Sequence, residues 1–293
     1  LSPELVVLGN LLVDDVVFPD GRTRMGEPGG ATLYAALGAA LWGVRVGLVS
    51  VIGDDYPPRT LDALRARGVD LALRHLRGPG LRTWLLYEDR RRQVVLHQDR
   101  PSHAAASPLP SDLPAEWSAA GAFHLAPMPL DVQRSLVADL PRPAEATLSL
   151  DPYLILRPET AEQWRSLVPA VDVFFLSQDE DELGEGAVHA MVGPRSRFVL
   201  WKRGARGGRL WDARSGGGLD WAPRAEMVVD STGAGDAFAG GFLAGLVNGD
   251  EPERALERGV VSASFAIADY GAAAILAATP EQANARWRSW YGR

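Results

Sequence analysis

The chain has 293 residues, 46% of them apolar and 23% charged, with 30 basic against 37 acidic side chains for a net charge of −7; this is a globular balance with no basic excess to neutralise a nucleic-acid backbone. Cysteine is absent and Lys202 is the only lysine, which removes disulfide frameworks, thiolate metal sites, cysteine nucleophiles and any Walker-A phosphate loop. The longest uncharged stretch, residues 28–44, holds Thr32, Tyr34 and four glycines and falls short of a spanning helix. Leu1-Ser2-Pro3-Glu4 carries no basic leader, so a soluble, cytoplasmic protein without nucleic-acid or membrane partners is expected.

In chain order, short β-branched or leucine-rich runs at 5–9, 46–51, 123–125, 147–150, 173–176 and 198–201 read as buried strands. Between them, 32–42, 60–67, 132–140, 159–167 and 252–269 read as helices. This alternation predicts an α/β fold with a mostly parallel sheet covered on both faces, with ligands beyond the carboxyl ends of the strands. Two segments break the pattern. Residues 82–87 and 93–97 flank the charged run Glu88-Asp89-Arg90-Arg91-Arg92 and read as a hairpin. Residues 11–25, with a turn at Asp20-Gly21, supply a further strand. Together, approximately within 11–25 and 82–100, they predict a small β-lid that covers the site or clasps a second copy into a homodimer. No internal repeat or clean boundary appears, so residues 1–293 read as one domain.

The strongest chemical signal is Asp230-Ser231-Thr232-Gly233-Ala234-Gly235-Asp236-Ala237-Phe238-Ala239-Gly240-Gly241-Phe242. A strand end passes through capping residues into small residues that open a helix, where the backbone can approach a ligand closely. Amides at a helix N-terminus form an anion site that needs no lysine. Asp236, in the first turn, stands at its edge and can take a proton from an attacking hydroxyl. The plainer reading is a capped helix packed on a strand, with Asp236 favouring the dipole.

That motif resembles the C-terminal signature of the ribokinase-like, or PfkB, family of carbohydrate kinases. The resemblance implies a three-layer α/β/α fold, Asp236 as catalytic base, and Gly233, Ala234 and Gly235 as the anion hole. Gly9-Asn10-Leu11-Leu12-Val13-Asp14 resembles the family's first strand and its hydroxyl-binding aspartate, so Asn10 and Asp14 are expected at the substrate. Glu27-Pro28-Gly29-Gly30-Ala31-Thr32 resembles the N-terminal Gly-Gly signature, which adds Gly29, Gly30 and, at the position of the usual asparagine, Tyr34. Leu148-Ser149-Leu150-Asp151-Pro152 resembles a mid-chain strand ending in aspartate. Ser177-Gln178-Asp179-Glu180 stands where the family has Asn-x-x-Glu, which implies Ser177 near the nucleotide and Glu180 holding Mg²⁺ through water. Lys202-Arg203-Gly204-Ala205-Arg206-Gly207 resembles the nucleotide-side glycine turn and implies Lys202, Gly204 and Gly207 there, with Ser262 on the adjoining helix. Asp230, Thr232, Ala266 and Gly271 mark the region where family members can hold a monovalent cation such as K⁺.

The departures concern the acceptor. Tyr34 and Leu12 replace sugar-reading asparagines, Pro127-Met128 stands where a glutamate is usual, Ser177 replaces the metal-side asparagine, and Lys202 replaces a threonine. Ribose is therefore disfavoured, while the phosphoryl-transfer set is intact. The expectation is an ATP- and Mg²⁺-dependent kinase acting on a hydroxyl of a sugar, polyol or nucleoside. A catalytically silent sugar- or nucleoside-binding regulatory protein on the same fold is the alternative, kept open by Tyr34 and Ser177. The five histidines show no zinc-ligand spacing.

Overall fold

The computed structural model describes residues 2–88, 91–225 and 227–292. In chain order the strands are β1 (Leu5–Leu8), β2 (Leu12–Val17), β3 (Thr23–Gly29), β4 (Val46–Ile52), β5 (Val69–His75), β6 (Arg82–Glu88), β7 (Arg91–Leu96), β8 (Ala122–Leu125), β9 (Thr147–Leu150), β10 (Val173–Ser177), β11 (Phe198–Lys202), β12 (Gly208–Asp212) and β13 (Gly218–Trp221). The α-helices are α1 (Ala31–Ala40), α2 (Pro58–Ala66), α3 (Leu130–Asp139), α4 (Ala161–Leu167), α5 (Glu185–His189), α6 (Ala234–Val247), α7 (Pro252–Ala266), α8 (Ala273–Ala277) and α9 (Pro280–Tyr291). None of the described helices is long and apolar enough to cross a membrane.

Nine strands form one sheet in the order β13-β12-β11-β10-β9-β8-β1-β4-β5. It is parallel from β5 to β11 and antiparallel only at β12 and β13. Strand pleating divides the core between two faces. Leu5 and Val7 of β1 pack with the α1, α6 and α7 layer, while Val6 and Leu8 pack with the α3 and α4 layer. The architecture is therefore three-layered, α/β/α. Because the chain runs outward from β1 to β4 and β5, then returns to add β8 through β11 on the other side, the strand order reverses between β1 and β8. The carboxyl ends of the strands at such a reversal leave a crevice.

A second sheet, ordered β3-β2-β6-β7, gathers the two segments expected to form a lid. Gly21, at φ 81, turns β2 into β3, and its amide donates to Phe18 O at 2.9 Å. β3 runs past the expected end at Met25 to Gly29, so the lid leads directly into the N-terminus of α1. Of the charged hairpin tip, Asp89 and Arg90 lie outside the described residues.

Candidate active site

Gly233 caps α6 in the left-handed region, φ 74, with Ala234 as the first helical residue. A Cβ at Gly233 would collide with the Tyr34 ring, so glycine is needed for space as well as conformation. Tyr34, from α1, thus forms the floor beneath the turn. Asp236 lies in the first turn of α6, as its spacing predicts. The first amides of this helix have no intrahelical acceptor and carry the positive end of its dipole.

Asp230, just before the turn, is a gathering point. Its Oδ1 accepts from Tyr87 Oη at 2.5 Å and from Thr232 N at 2.9 Å, and its Oδ2 accepts from Gly271 N at 3.0 Å. Thr232 Oγ1 is 2.6 Å from the same Tyr87 oxygen. Burial raises Asp230, but these hydrogen bonds outweigh it and hold the carboxyl below the usual range. Of the residues expected at a monovalent cation, Asp230, Thr232 and Gly271 come together here. Ala266 closes α7, and the following Ile267 O accepts from Val229 N at 2.8 Å. Among the described residues, no three His, Asp or Glu side chains converge on a metal position.

On the other side of α6, β9, β10 and β11 deliver Asp151, Ser177 and Lys202 to one edge, with Ser177 and Lys202 in register. Lys202 Nζ donates to Asp151 Oδ2 at 2.5 Å, and among the described residues Asp151 Oδ1 has no hydrogen-bond partner. Burial raises the Asp151 carboxyl well above its usual value, and the charges of Glu180 and Asp236 add to this against the pull of Lys202. For Lys202 burial opposes the charge, yet Asp151, Glu180 and Asp236 outweigh it and keep the ammonium protonated. Glu180 Oε2 accepts from Ser177 N at 2.7 Å.

A cavity of about 390 Å³ opens between this edge and α6, lined by Lys202, Gly204, Gly207, Ala234, Gly235 and Phe238 among others. Ser262 is the correction on this side. It is fully buried, its hydroxyl donates to Gly38 O at 2.9 Å and accepts from Trp42 Nε1 at 2.9 Å, and it ties α7 to α1. Its neighbours Ala263 and Ser264 line the cavity instead. A larger hollow of about 540 Å³, under Pro3, Glu4 and Thr147, holds none of the site residues.

Toward the lid, Asp14 is buried and accepts from Thr83 Oγ1 across the β2–β6 pair. Gly29 lies against the Asp14 carboxylate, where a side chain would collide, and Gly30, at φ 105, lies against Asn10 O. Asn10 is directed elsewhere than expected. Its Nδ2 donates to Ala106 O at 2.6 Å and Ser107 Oγ at 3.1 Å, and its Oδ1 accepts from His103 Nε2 at 2.9 Å. It anchors the 103–107 loop through these bonds. His103, pulled down to about 4 by burial, is neutral. The Tyr34 hydroxyl is buried with no hydrogen-bond partner among the described residues, and burial, then the charges of Asp14, Asp230 and Asp236, push it well above its ordinary value. The Tyr34 phenol therefore packs against the turn that starts α6 and feels the charges of Asp14 and Asp236. Thr83 and Tyr87 were missed by sequence reasoning. They alternate with Leu85 on one face of β6, a period-2 pattern that was available.

A model of the pfkB family of carbohydrate kinases matches residues 4–279. The chain belongs to the PfkB family of carbohydrate kinases. This PfkB kinase is similar to a cytidine kinase of Thermococcus kodakarensis, 31% identical over 278 residues that cover 92% of this chain and 97% of the relative. It also shares its fold with a Burkholderia thailandensis nucleoside kinase in complex with inosine, TM-score 0.77 at 18% identity, covering 99% of each chain. A further neighbour is the aminoimidazole riboside kinase of Salmonella enterica with aminoimidazole riboside and an ATP analog, TM-score 0.73 at 20% identity, covering 97% and 99%. The PfkB assignment establishes a ribokinase-like fold and phosphotransfer to a sugar or nucleoside.

Proposed function

We propose that this PfkB kinase, read as one domain, transfers the γ-phosphate of ATP to a hydroxyl of a nucleoside, with cytidine the first acceptor to test. The observation that carries the reading is the α6 N-terminus, where Asp236 and the Gly233–Gly235 amides meet the lysine-lined cavity on one side and Tyr34 with Asp14 on the other. The 31% identity to a cytidine kinase over nearly the whole chain supports a nucleoside over a free sugar or polyol.

In this reading Asp14, Gly29 and Gly30 hold the acceptor hydroxyls beneath the lid. Asp236 accepts the proton of the attacking hydroxyl, and the amides at Gly233, Ala234 and Gly235 stabilise charge on the transferring group. Gly204 and Gly207 border the nucleotide, with Ser177 at the phosphate end. Magnesium fits as a partner of the phosphates: Mg²⁺ takes few carboxylates and keeps its waters, and Glu180 bonds Ser177 N through Oε2 alone, leaving Oε1 for a metal-bound water. When bound it would neutralise triphosphate charge. A monovalent cation fits poorly at Asp230, whose carboxylate already accepts from Tyr87, Thr232 and Gly271, and no step is assigned to it. Val94 and Val95, exposed on the lid's edge strand, support pairing of two copies through the lid.

The test is an ADP-release assay with MgATP across nucleosides, sugars and polyols. Product with cytidine or another nucleoside is the expected outcome. Thermal shifts with nucleosides but no product from any acceptor would replace the enzyme reading with the silent binder.

A further inference from the structure

Lys202 is one lysine in a chain whose other 29 basic residues are arginine (30 less 1). It is also in the interior: its side chain is 13% exposed and that of its partner Asp151 1%. A buried ion pair is worth little against well-packed apolar residues of the same size, because desolvation consumes most of its attraction. Fold stability therefore does not account for an ammonium here.

Its surroundings do. A Cβ placed on Gly235 would lie 3.3 Å from Lys202 Nζ, 3.5 Å from Cδ and 3.7 Å from Cε. The stem and the ammonium run along the backbone of the α6 N-terminus, beside the amides proposed to receive the phosphates. The cavity proposed for the nucleotide is lined by Lys202 and Gly235 together. Asp151 holds the ammonium through Oδ2, and among the described residues its Oδ1 has no hydrogen-bond partner. Asp236 and Glu180 both interact with the Lys202 charge. A compact ammonium on a flexible stem, with three donors, can keep one bond to Asp151 while presenting the others to an arriving anion.

We propose that Lys202 is a catalytic cation of the phosphoryl transfer, held by Asp151 as its positioning residue and directed at the phosphate group that moves. The inference rests on the phosphotransferase reading above. In the reaction the acceptor O–H gives its proton to Asp236, and the oxygen lone pair forms the new bond to the γ-phosphorus. The bond from that phosphorus to the β–γ bridging oxygen breaks, and its electron pair stays on ADP. Lys202 remains protonated throughout, and its positive charge stabilises the negative charge that grows on the transferring and leaving oxygens. The helix amides, fixed in the backbone, and the lysine, reaching across from β11, thus act on the same group from two elements.

The experiment compares the natural chain with Lys202→Met and with the double variant Lys202→Met/Asp151→Asn, which removes both buried charges so that no lone carboxylate remains to disturb folding. With MgATP and the best acceptor, kcat of the folded double variant should fall by about 10²- to 10³-fold, while KM for the acceptor stays within about threefold. Independently of any acceptor, calorimetric titration with ADP and with the non-hydrolysable triphosphate AMP-PNP should show ADP affinity within about threefold and AMP-PNP weakened about tenfold or more, as expected for loss of a contact to the terminal phosphate. A folded double variant that turns over within threefold of the natural rate, or that loses affinity for ADP and AMP-PNP equally, overturns the proposal. If no acceptor is phosphorylated by the natural chain, the functional reading fails by itself, and the comparison of ADP with AMP-PNP still decides the placement of Lys202.

Discussion

Tyr87 Oη donates to Asp230 Oδ1 at 2.5 Å, joining the β6–β7 hairpin of the lid to the residue that begins the turn into α6. This bond ties the second sheet to the turn into α6, whereas the Asp14–Thr83 bond runs within that sheet, between β2 and β6. Tyr87→Phe keeps the ring, which stacks on Phe18 at 5.9 Å, and removes only the hydroxyl. We expect kcat/KM for the acceptor to fall about tenfold, as for loss of a charge-assisted hydrogen bond. ATP hydrolysis without acceptor should rise relative to transfer, because a loosened lid admits water. An ADP-release assay with and without acceptor measures both, and an unchanged ratio would show that the bond plays no part in closure.

Asp236→Asn should lower kcat by at least about 10²-fold while leaving ATP binding nearly unchanged, since the amide keeps the shape of the side chain and loses its basicity. Initial rates together with nucleotide titration check this. Turnover close to that of the natural chain would remove Asp236 from its assigned role.

Replacing K⁺ by tetramethylammonium at constant ionic strength should change kcat by less than about twofold. The reason is that the Asp230 carboxylate already accepts from Tyr87, Thr232 and Gly271, so a cation would have to displace good hydrogen bonds. Activation of tenfold or more by K⁺ would contradict this arrangement.

Stability should decline on mild acidification. His124 is pulled down to about 3 from 6.5, by burial first and the charge of Lys202 second, and His103 to about 4 by burial. Both are bases that charge more readily unfolded than folded. Below about pH 6.5 the unfolded state binds more protons at these two histidines, so their contribution is full above that value and falls as pH drops toward 4 and then 3, each adding a slope of up to about 1.4 kcal/mol per pH unit, offset in part by Asp151, whose raised carboxyl takes up a proton in the folded state over the same range. Thermal midpoints between pH 7.5 and 5 should show the decline, and His124→Asn should flatten it.

Much of this was legible in the sequence because its strongest signals are local. The six buried runs are strands since β-branched and leucine side chains on both faces suit a covered parallel sheet, and the glycine-rich motif around Asp236 fixes a helix start by its own backbone requirements. Edge elements were less legible. β5 alternates Val69, Leu71 and Leu73 with charged or small residues on a half-exposed edge, and β12 and β13 are short and begin at glycine. α9 carried a readable capping box, Thr279 with Gln282, and a proline at its start, but its polar face gives no core signal. Side-chain direction was the least legible. Asn10 and Ser262 have the right sequence positions and yet bond to the 103–107 loop and to α1, whereas Lys202, noted in the sequence as a departure, lies beside Gly235. Contacts of this kind join residues far apart in the chain, and no spacing rule encodes them.

The α1–α6 contact has its own consequence. A Cβ at Gly38 would lie 2.9 Å from Ala237 Cα, and one at Gly240 would collide with the Ala35 carbonyl, so the two helices meet backbone to backbone. Gly240→Ala should therefore cost about 1–3 kcal/mol, visible as a lowered thermal midpoint, and should reduce kcat beyond what the stability loss explains. The seam behaves as a ruler: it sets the separation of the Gly29–Gly30 turn and the Gly233–Gly235 turn, which start the two helices. On the proposed function, exchanging residues of β6 and β7 is then a route to new acceptors that leaves Asp14, Gly29 and the spacing of the two turns untouched.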